Sequence, residues 1–298
     1  VTVSVYVPVA LSVLVAATSR LLAGRLAPTG GTVVSVVGAA VLCALGTSWA
    51  LILLALTLLG FTPLAEREAT ARGVVLVQPV PGVVGALAAV GLALGVARAV
   101  RVLRARVATR HELRELCASC APGELAVVPV AEPHAFAVPG RPGRVLITQG
   151  LLTLLDGKER RVVLAHERAH LRGRHQGLRA VAELAAAVNP MLVPVREAVA
   201  FLVERAADEH AARVSGSRAL TARALAKAAL AEASGRGLGA LGFVSGGVCA
   251  RVAALQAGPP RPAPLLPGGF LMVGVGTTIA SVQATLAFYQ LVHWLWLT

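Results

Sequence analysis

Residues 162–175 read VVLAHERAHLRGRH, and inside them His166, Glu167 and His170 spell H-E-x-x-H. Asp156 with Glu159 three residues later is a capping-box pattern, and Gly173 is a stop signal, so the spacing predicts a helix running from Asp156 through His170. Positions i and i+4 share a helix face. Both imidazoles can therefore reach one metal ion, with Glu167 beside them to take a proton from a water that the ion activates. The rival reading is an arginine-rich helix that happens to carry three histidines. With seven histidines in the chain, chance gives this string on the order of once in a hundred such sequences, which favours the metal reading.

A catalytic zinc takes three protein ligands and leaves one position open, so a third ligand is needed. The chain has only two aspartates, Asp156 and Asp208, and outside the motif few glutamates sit in apolar helical sequence. Glu204 and Asp208 form E-x-x-x-D in FLVERAADEH (residues 201–210). They share one helix face, far enough downstream for the chain to turn and lay a second helix along the first. Glu204 is the expected third ligand, and Asp208 is placed to accept a hydrogen bond from the free ring nitrogen of a ligand histidine. The alternative for this pair is a solvated face paired with Arg205 and Arg213; the capped H-E-x-x-H helix tips the balance to a site. His175, beside Arg172 and Arg174, reads as a solvated helix end outside it.

Composition decides where such a site sits. Hydrophobic residues make up 56% and charged residues 14%, with mean hydropathy +0.73, against about 25% charged in ordinary soluble proteins. Part of the chain therefore has lipid as its solvent. Residues 1–23, 32–60, 80–100 and 268–298 are apolar runs of spanning length, and no cleavable signal is clear in the first. Trp294 and Trp296 read as an interfacial belt. The fold class expected is a mainly α integral membrane protein: a three-helix membrane domain (1–104), an inserted α+β domain (105–258), a Pro-rich linker (259–267) and a fourth transmembrane helix (268–298). Residues 181–203 are apolar enough for a further span, but Glu183, Arg196, Glu197, Pro190 and Pro194 argue for buried or membrane-hugging helices instead.

The net charge of +13, from 28 Lys+Arg against 15 Asp+Glu, would point to nucleic acid in a soluble protein. Here Arg98, Arg101, Arg104, Arg106 and Arg110 gather beside an apolar run without interleaved aromatics, so positive-inside anchoring explains them and no nucleic acid is expected. Arg20 and Arg25 follow the first span, while Glu66, Arg67, Glu68 and Arg72 balance the second loop. That pattern puts the insert in the cytoplasm and both termini outside. Cys117 and Cys120 form a lone C-x-x-C without a second pair, and with Cys43 and Cys249 they read as ordinary thiols. The stretch Gly237, Gly239, Gly242 matches G-x-G-x-x-G but follows an alanine-rich helix rather than a strand, and reads as a loop.

Within the insert, residues 125–130, 135–138 and 145–148 read as short strands. Helices follow from about 178 to the break at Asn189-Pro190, and from 195 to 214.

The three-plus-one layout, AHERAHLRGRH (165–175) and VERAADEHAAR (203–213) resemble the BlaR/MecR-type membrane zinc metallopeptidases, and more distantly the HtpX-like and prenyl-protein endopeptidases. HAFAVPG (134–140) is similar to the family's edge-strand segment, VLITQGLL (145–152) to the strand before the active-site helix, and RVAAL (251–255) to its closing basic segment. Where relatives often carry Asn before Ala-Phe, this chain has His134. The resemblance implies a zincin-like domain in a bacterial plasma membrane, with one Zn2+ held by His166, His170 and Glu204. Glu167 would be the general base and Asp208 the partner of a ligand histidine's free ring nitrogen. A protein or peptide substrate would pair with the edge strand at Ala135, Phe136 and Ala137, and His210 or Arg213 would assist the oxyanion. The penicillin-binding domain of the β-lactam receptors is not found after residues 268–298, so no direct β-lactam binding is expected. Peptide hydrolysis in regulatory proteolysis, on a repressor-type cytoplasmic substrate, is the leading expectation. Membrane-protein quality control is the alternative within the class, and a non-catalytic transducer that uses the fold only to bind a partner is the alternative outside it.

Overall fold

The computed structural model describes residues 4–62, 67, 70–71, 73, 80–118, 123–236, 241–260 and 265–297. Glu66, Glu68 and Arg72 of the second loop, Cys120 of the C-x-x-C, residues 237–240 of the glycine-rich stretch and residues 261–264 of the linker lie outside the described residues. The side chains of Trp294 and Trp296 do so too.

The chain opens with α1 (Val7–Leu22) and α2 (Gly30–Leu56), the latter prolonged by a 3-10 turn over Thr57–Phe61. α3 (Gly82–Ala118) follows as one helix of 37 residues. The span expected to close at residue 100 continues without a break, because neither glycine nor proline occurs between Val96 and Ala118 to stop it. At 1.5 Å per residue it is roughly 55 Å long, well beyond a hydrocarbon core of about 30 Å, and its arginines ride on the projecting half.

Three stretches among the described residues are long and apolar enough to cross a membrane: Gly30–Leu59, Gly82–Glu115 and Gly268–Gln290; α1 is apolar but shorter. The last stretch belongs to α10 (Leu265–Leu297). This helix starts inside the segment expected as linker, since Pro267 falls in its first turn, where a missing N–H breaks no helical hydrogen bond. Leu45, Leu87, Val90, Met272 and Ile279 point outward from these helices, each more than half exposed. Such an apolar belt suits contact with lipid tails.

Between α3 and α10 the described residues form a small sheet and six α-helices. Strands β1 (Leu125–Val128), β2 (Ala135–Val138) and β3 (Arg144–Thr148) are ordered β1-β3-β2, with β1 parallel and β2 antiparallel to β3. The helices are α4 (Gln149–Leu154), α5 (Gly157–Arg172), α6 (His175–Val188), α7 (Val193–Ser215), α8 (Arg218–Arg236) and α9 (Leu241–Gln256).

The largest apolar cluster crosses the boundary expected near residue 104. Val33, Val36 and Ala40 of α2 and Val15 of α1 pack with Ala182 and Ala185 of α6 and with Val195, Val199 and Leu202 of α7. Alanines on α6 allow the close approach. The turn between α6 and α7 is therefore buried among the first helices. Asn189, only 2% exposed, donates from Nδ2 to Ser12 Oγ (3.0 Å) and Thr47 Oγ1 (3.1 Å), and its Oδ1 accepts from the Met191 N–H (3.2 Å). All three groups of its amide that could be left bare are thereby satisfied. On α3, Gly95 carries no side chain where the Val188 carbonyl approaches; a Cβ there would lie 3.0 Å from that oxygen. Further out, Arg205 of α7 donates to the carbonyls of Gly24 (3.2 Å) and Leu26 (3.0 Å), closing the end of α1. Arg106 of α3 pairs with Glu183 of α6.

Replacing Asn189 by Ala strips two buried hydroxyls of a shared donor, and we expect a loss of about 1–3 kcal/mol in stability. Thermal unfolding in detergent of Asn189→Ala, Thr47→Val and the double variant tests this. The double variant should lose less than the sum of the singles, and strict additivity would contradict the contact.

Candidate metal centre

The first helix of the site is placed by its N-terminus. Asp156 Oδ1 accepts from the N–H groups of Lys158 and Glu159 (both 2.8 Å), while Glu159 Oε2 accepts from the Asp156 N–H (3.0 Å), the reciprocal box expected from the sequence. These backbone donors hold both carboxyls below their usual range. Glu159 is also buried and meets Arg223 (3.1 Å) and Lys227 (3.0 Å) of α8, which ties α5 to its neighbour. One face of α5 then buries Val162 and Ala165 against Ala211 of α7 and Ala224 of α8. That packing turns His166 and His170 towards Glu204 and Asp208.

The ring nitrogens His166 Nε2 and His170 Nε2 lie 3.1 Å apart. Glu204 Oε2 is 3.5 Å from the first and Glu204 Oε1 3.7 Å from the second. Bonds of about 2.0–2.1 Å in a zinc tetrahedron place ligand atoms roughly 3.3 Å apart. Two neutral imidazoles and a carboxylate at this spacing thus fit a zinc-sized cation, and His166, His170 and Glu204 form a cluster that could hold a metal ion.

Asp208 stands behind the cluster, its Oδ1 3.1 Å from His166 Nδ1. Burial opposes charge on His166, but hydrogen bonds to Asp208 and Glu204, with the charges of Asp208 and Glu167, lift it to about 10. Burial would also raise the two carboxyls. Hydrogen bonds reverse that: His166 and His170 hold Glu204 well below the carboxylate range, and Arg251 and His166 hold Asp208 down. Glu167 goes the other way, raised by burial and by the charge of Glu204 despite the two imidazoles and the Ala137 N–H.

The sheet supplies the opposite wall. The Thr148 N–H donates to the His134 carbonyl (3.0 Å), so in the antiparallel register the residues bonded to β3 alternate from His134, and Ala135 and Ala137 turn their N–H and C=O groups outward. β2 is one of the two edges of the sheet, and Glu167 takes the outward N–H of Ala137. A cavity of about 540 Å3 opens between Ala135, Phe136 and Ala137 on one side and Leu225, Ala228 and Val248 on the other, with the metal cluster in its wall.

Two expectations need correction. His210 and Arg213 do not line this cavity. His210 faces Arg172, 3.4 Å from its Nη1, and Arg213 donates to the Glu209 carbonyl, because their positions on α7 fall on a face other than that of Glu204 and Asp208. His175 is not a solvated helix end: it is 8% exposed, and its Nδ1 lies 2.9 Å from His170 Nδ1. Burial and the adjacent His170 push it down to about 4.

Two further arginines stand at the centre: Arg251, quoted in the sequence only as the start of RVAAL and given no role, and Arg179, which the sequence did not single out. Arg251 of α9 grips Asp208 with Nε and Nη2 (both 2.7 Å), and its Nη1 lies 3.1 Å from Glu204 Oε2. Burial weighs against its charge, but Asp208 and Glu204 raise it. Arg179 of α6 donates to Glu204 Oε1 (3.2 Å) from the cavity rim. The available signal was electrostatic: two buried carboxylates one turn apart demand a nearby cation, and RVAAL offers one within an apolar helix. Arg218 holds that helix end in place, pairing bidentately with Glu209 (2.6 and 2.9 Å) and donating to the carbonyls of Ala254 (3.1 Å), Leu255 (2.8 Å) and Gly258 (2.7 Å).

Comparison with known proteins identifies the family. Over 50 residues the chain is 46% identical to the protein named "Protease HtpX homolog" of Aquifex aeolicus (strain VF5), a match covering 16% of this chain and 17% of that protein. No solved structure matches the chain. The family model described as "Peptidase family M48" matches residues 109–265, more than half of the chain and all of α5, α7 and α9. Of the families the sequence resembles, it is thus the HtpX-like one that is matched, and the chain belongs to peptidase family M48.

Proposed function

We propose that the protein is a membrane-embedded zinc endopeptidase that hydrolyses peptide bonds in protein substrates. The observation that carries this reading is the convergence of His166, His170 and Glu204 on one cation-sized space, with Glu167 reaching from that space to the Ala137 N–H of the β2 edge. His166, His170 and Glu204 would hold the metal, which when bound supplies a Lewis acid that polarises the scissile carbonyl and lowers the pKa of water. An extended substrate segment adds to β2 through the outward N–H and C=O of Ala135 and the C=O of Ala137, the Ala137 N–H being held by Glu167. Glu167 accepts a proton from the attacking water and returns it to the leaving nitrogen, and its raised pKa suits both halves of that task. Asp208, clamped by Arg251, orients His166. Arg179 lines the cavity and contacts Glu204, as His210 and Arg213 do not, and takes over from them as the candidate oxyanion donor.

The membrane arrangement proposed with this activity has four spans, α1 with the three longer helices, and a catalytic part on the cytoplasmic side. The arginines of α3 support that side by the positive-inside rule. An intact Glu167 at the sheet edge favours hydrolysis over a role confined to partner binding.

Detergent-purified Glu167→Gln should keep zinc and lose about 10²–10⁴-fold in peptide cleavage, whereas Glu204→Ala should lose zinc itself. Cleavage by the Gln variant at the wild-type rate sinks the hydrolase reading. The pH dependence follows from His166. With its folded value near 10 against about 6.5 unfolded, its proton stabilises the metal-free fold fully below pH 6.5, and that contribution is lost as pH rises through 10. A ligand must be neutral, so zinc uptake at pH 7 should release about one proton from His166 and tighten about tenfold per pH unit up to pH 10. Calorimetry in buffers of different ionisation enthalpy measures that release.

A further inference from the structure

Three observations converge on the short link RGRH (residues 172–175) between α5 and α6. Arg174 is the one non-glycine residue with positive φ among the described residues, at φ 50° and ψ 36°. A left-handed arginine is a small local strain that the surroundings must hold in place. Gly173 has no side chain where one would be blocked: a Cβ there would collide with His175 Nε2. The sharp turn that results folds His175 back beneath the first helix, with its ring edge-on to His170 (centroids 4.9 Å apart, planes at 86°) and the two Nδ1 atoms 2.9 Å apart.

We infer that His175 is a positioning residue for the metal centre, accepting a hydrogen bond from His170 Nδ1–H so that the His170 Nε2 lone pair faces the cation. The inference rests on the metallopeptidase reading above. Proton counting fixes the direction of the bond. His170 points Nε2 at His166 and Glu204, and to ligate through that atom it must carry its proton on Nδ1. Two Nδ1 atoms in contact share one proton, so Nδ1 of His175 is bare and its own proton sits on Nε2. His166 is oriented at the same ring position by a carboxylate, Asp208, which Arg251 neutralises. The two ligand imidazoles are thus held by different chemistries. A neutral acceptor behind His170 spares the centre a further negative charge beside Glu167, Glu204 and Asp208, where one buried arginine already serves two carboxylates.

Side-chain replacements separate this role from mere filling of space. Asn places a carbonyl oxygen near the Nδ1 position of the ring and keeps the acceptor. Gln places it near Nε2 and loses the acceptor at Nδ1, as Leu does. The full chain in detergent is loaded with zinc against a chromophoric chelator, and separately with cobalt for its visible absorption. His175→Gln and His175→Leu should bind zinc roughly 10–100-fold more weakly and shift the cobalt bands, with His175→Asn within about threefold of wild type. Should Leu not fold, the Asn and Gln pair carries the comparison. Gln binding as tightly as wild type with an unchanged cobalt spectrum overturns the inference, and so does an Asn variant as weak as Gln. Wild-type protein that takes up no zinc overturns the metallopeptidase reading instead, so the two failures are distinguishable.

Discussion

Two carboxylates one helical turn apart on α7, both largely withdrawn from water, set the terms for everything around them. Glu204 and Asp208 would repel each other and resist burial; what makes them tenable is Arg251, which contacts both, and the two imidazoles of α5. Remove the arginine and the two acids would no longer be balanced. This requirement explains why α9, a helix with little else polar, is brought across to the site. Arg218 serves the same end from outside, since its bonds to the carbonyls of Ala254, Leu255 and Gly258 and to Glu209 hold the end of α9 against α7.

The same helix does two jobs along its length. The first half of α7 buries Val195, Val199 and Leu202 among α1 and α2, and the second half presents Glu204 and Asp208 to α5. Arg205, between them in sequence, reaches back to the end of α1. Glu204 therefore sits one residue from a contact that fixes α7 against the first helix pair. The Asn189 turn anchors both α6 and α7 in that bundle, and α6 carries His175 and Arg179 at its other end. The site is built on helices whose far ends are set by the apolar bundle, so its geometry inherits the rigidity of that packing.

What was legible in the sequence was what depends on local spacing. The capping box, the H-E-x-x-H face and the E-x-x-x-D face each involve residues a few positions apart, and periodicity reports such neighbours well; the edge position of β2 came only through the family resemblance. Asn189-Pro190 was legible as a helix break, but not as a polar plug bonded to Ser12 and Thr47, because those partners lie more than a hundred residues away. His175 misled for a related reason. Its neighbours in sequence, Arg172 and Arg174, are basic, and a basic helix end normally faces water; the left-handed turn at Arg174 reverses the direction of the next side chain, and no period of 3.6 survives such a turn. The structure places His210 and Arg213 away from the cavity for the opposite reason. Proximity in sequence to Asp208 placed them near the site, yet on a helix residues two and five positions on face elsewhere.

Arginine shows most clearly how far composition can carry a functional reading. The net charge of +13 is a single number, and positive-inside anchoring, as proposed above, would cover only the exposed arginines of α3. It does not account for Arg205, Arg218 and Arg251, which the fold draws inward onto carbonyls and carboxylates. An excess of one residue type thus divides into two populations with different physics: one long-range and screened by salt, the other short-range, bidentate and desolvated. Only the second bears on chemistry, and what marks its members in the sequence is an acid in need of a partner rather than a run of like charges. In a chain with two aspartates, each has so specific a post, one at the cap of α5 and one behind His166, that asking what each must be paired with leads directly to the residues around the metal centre.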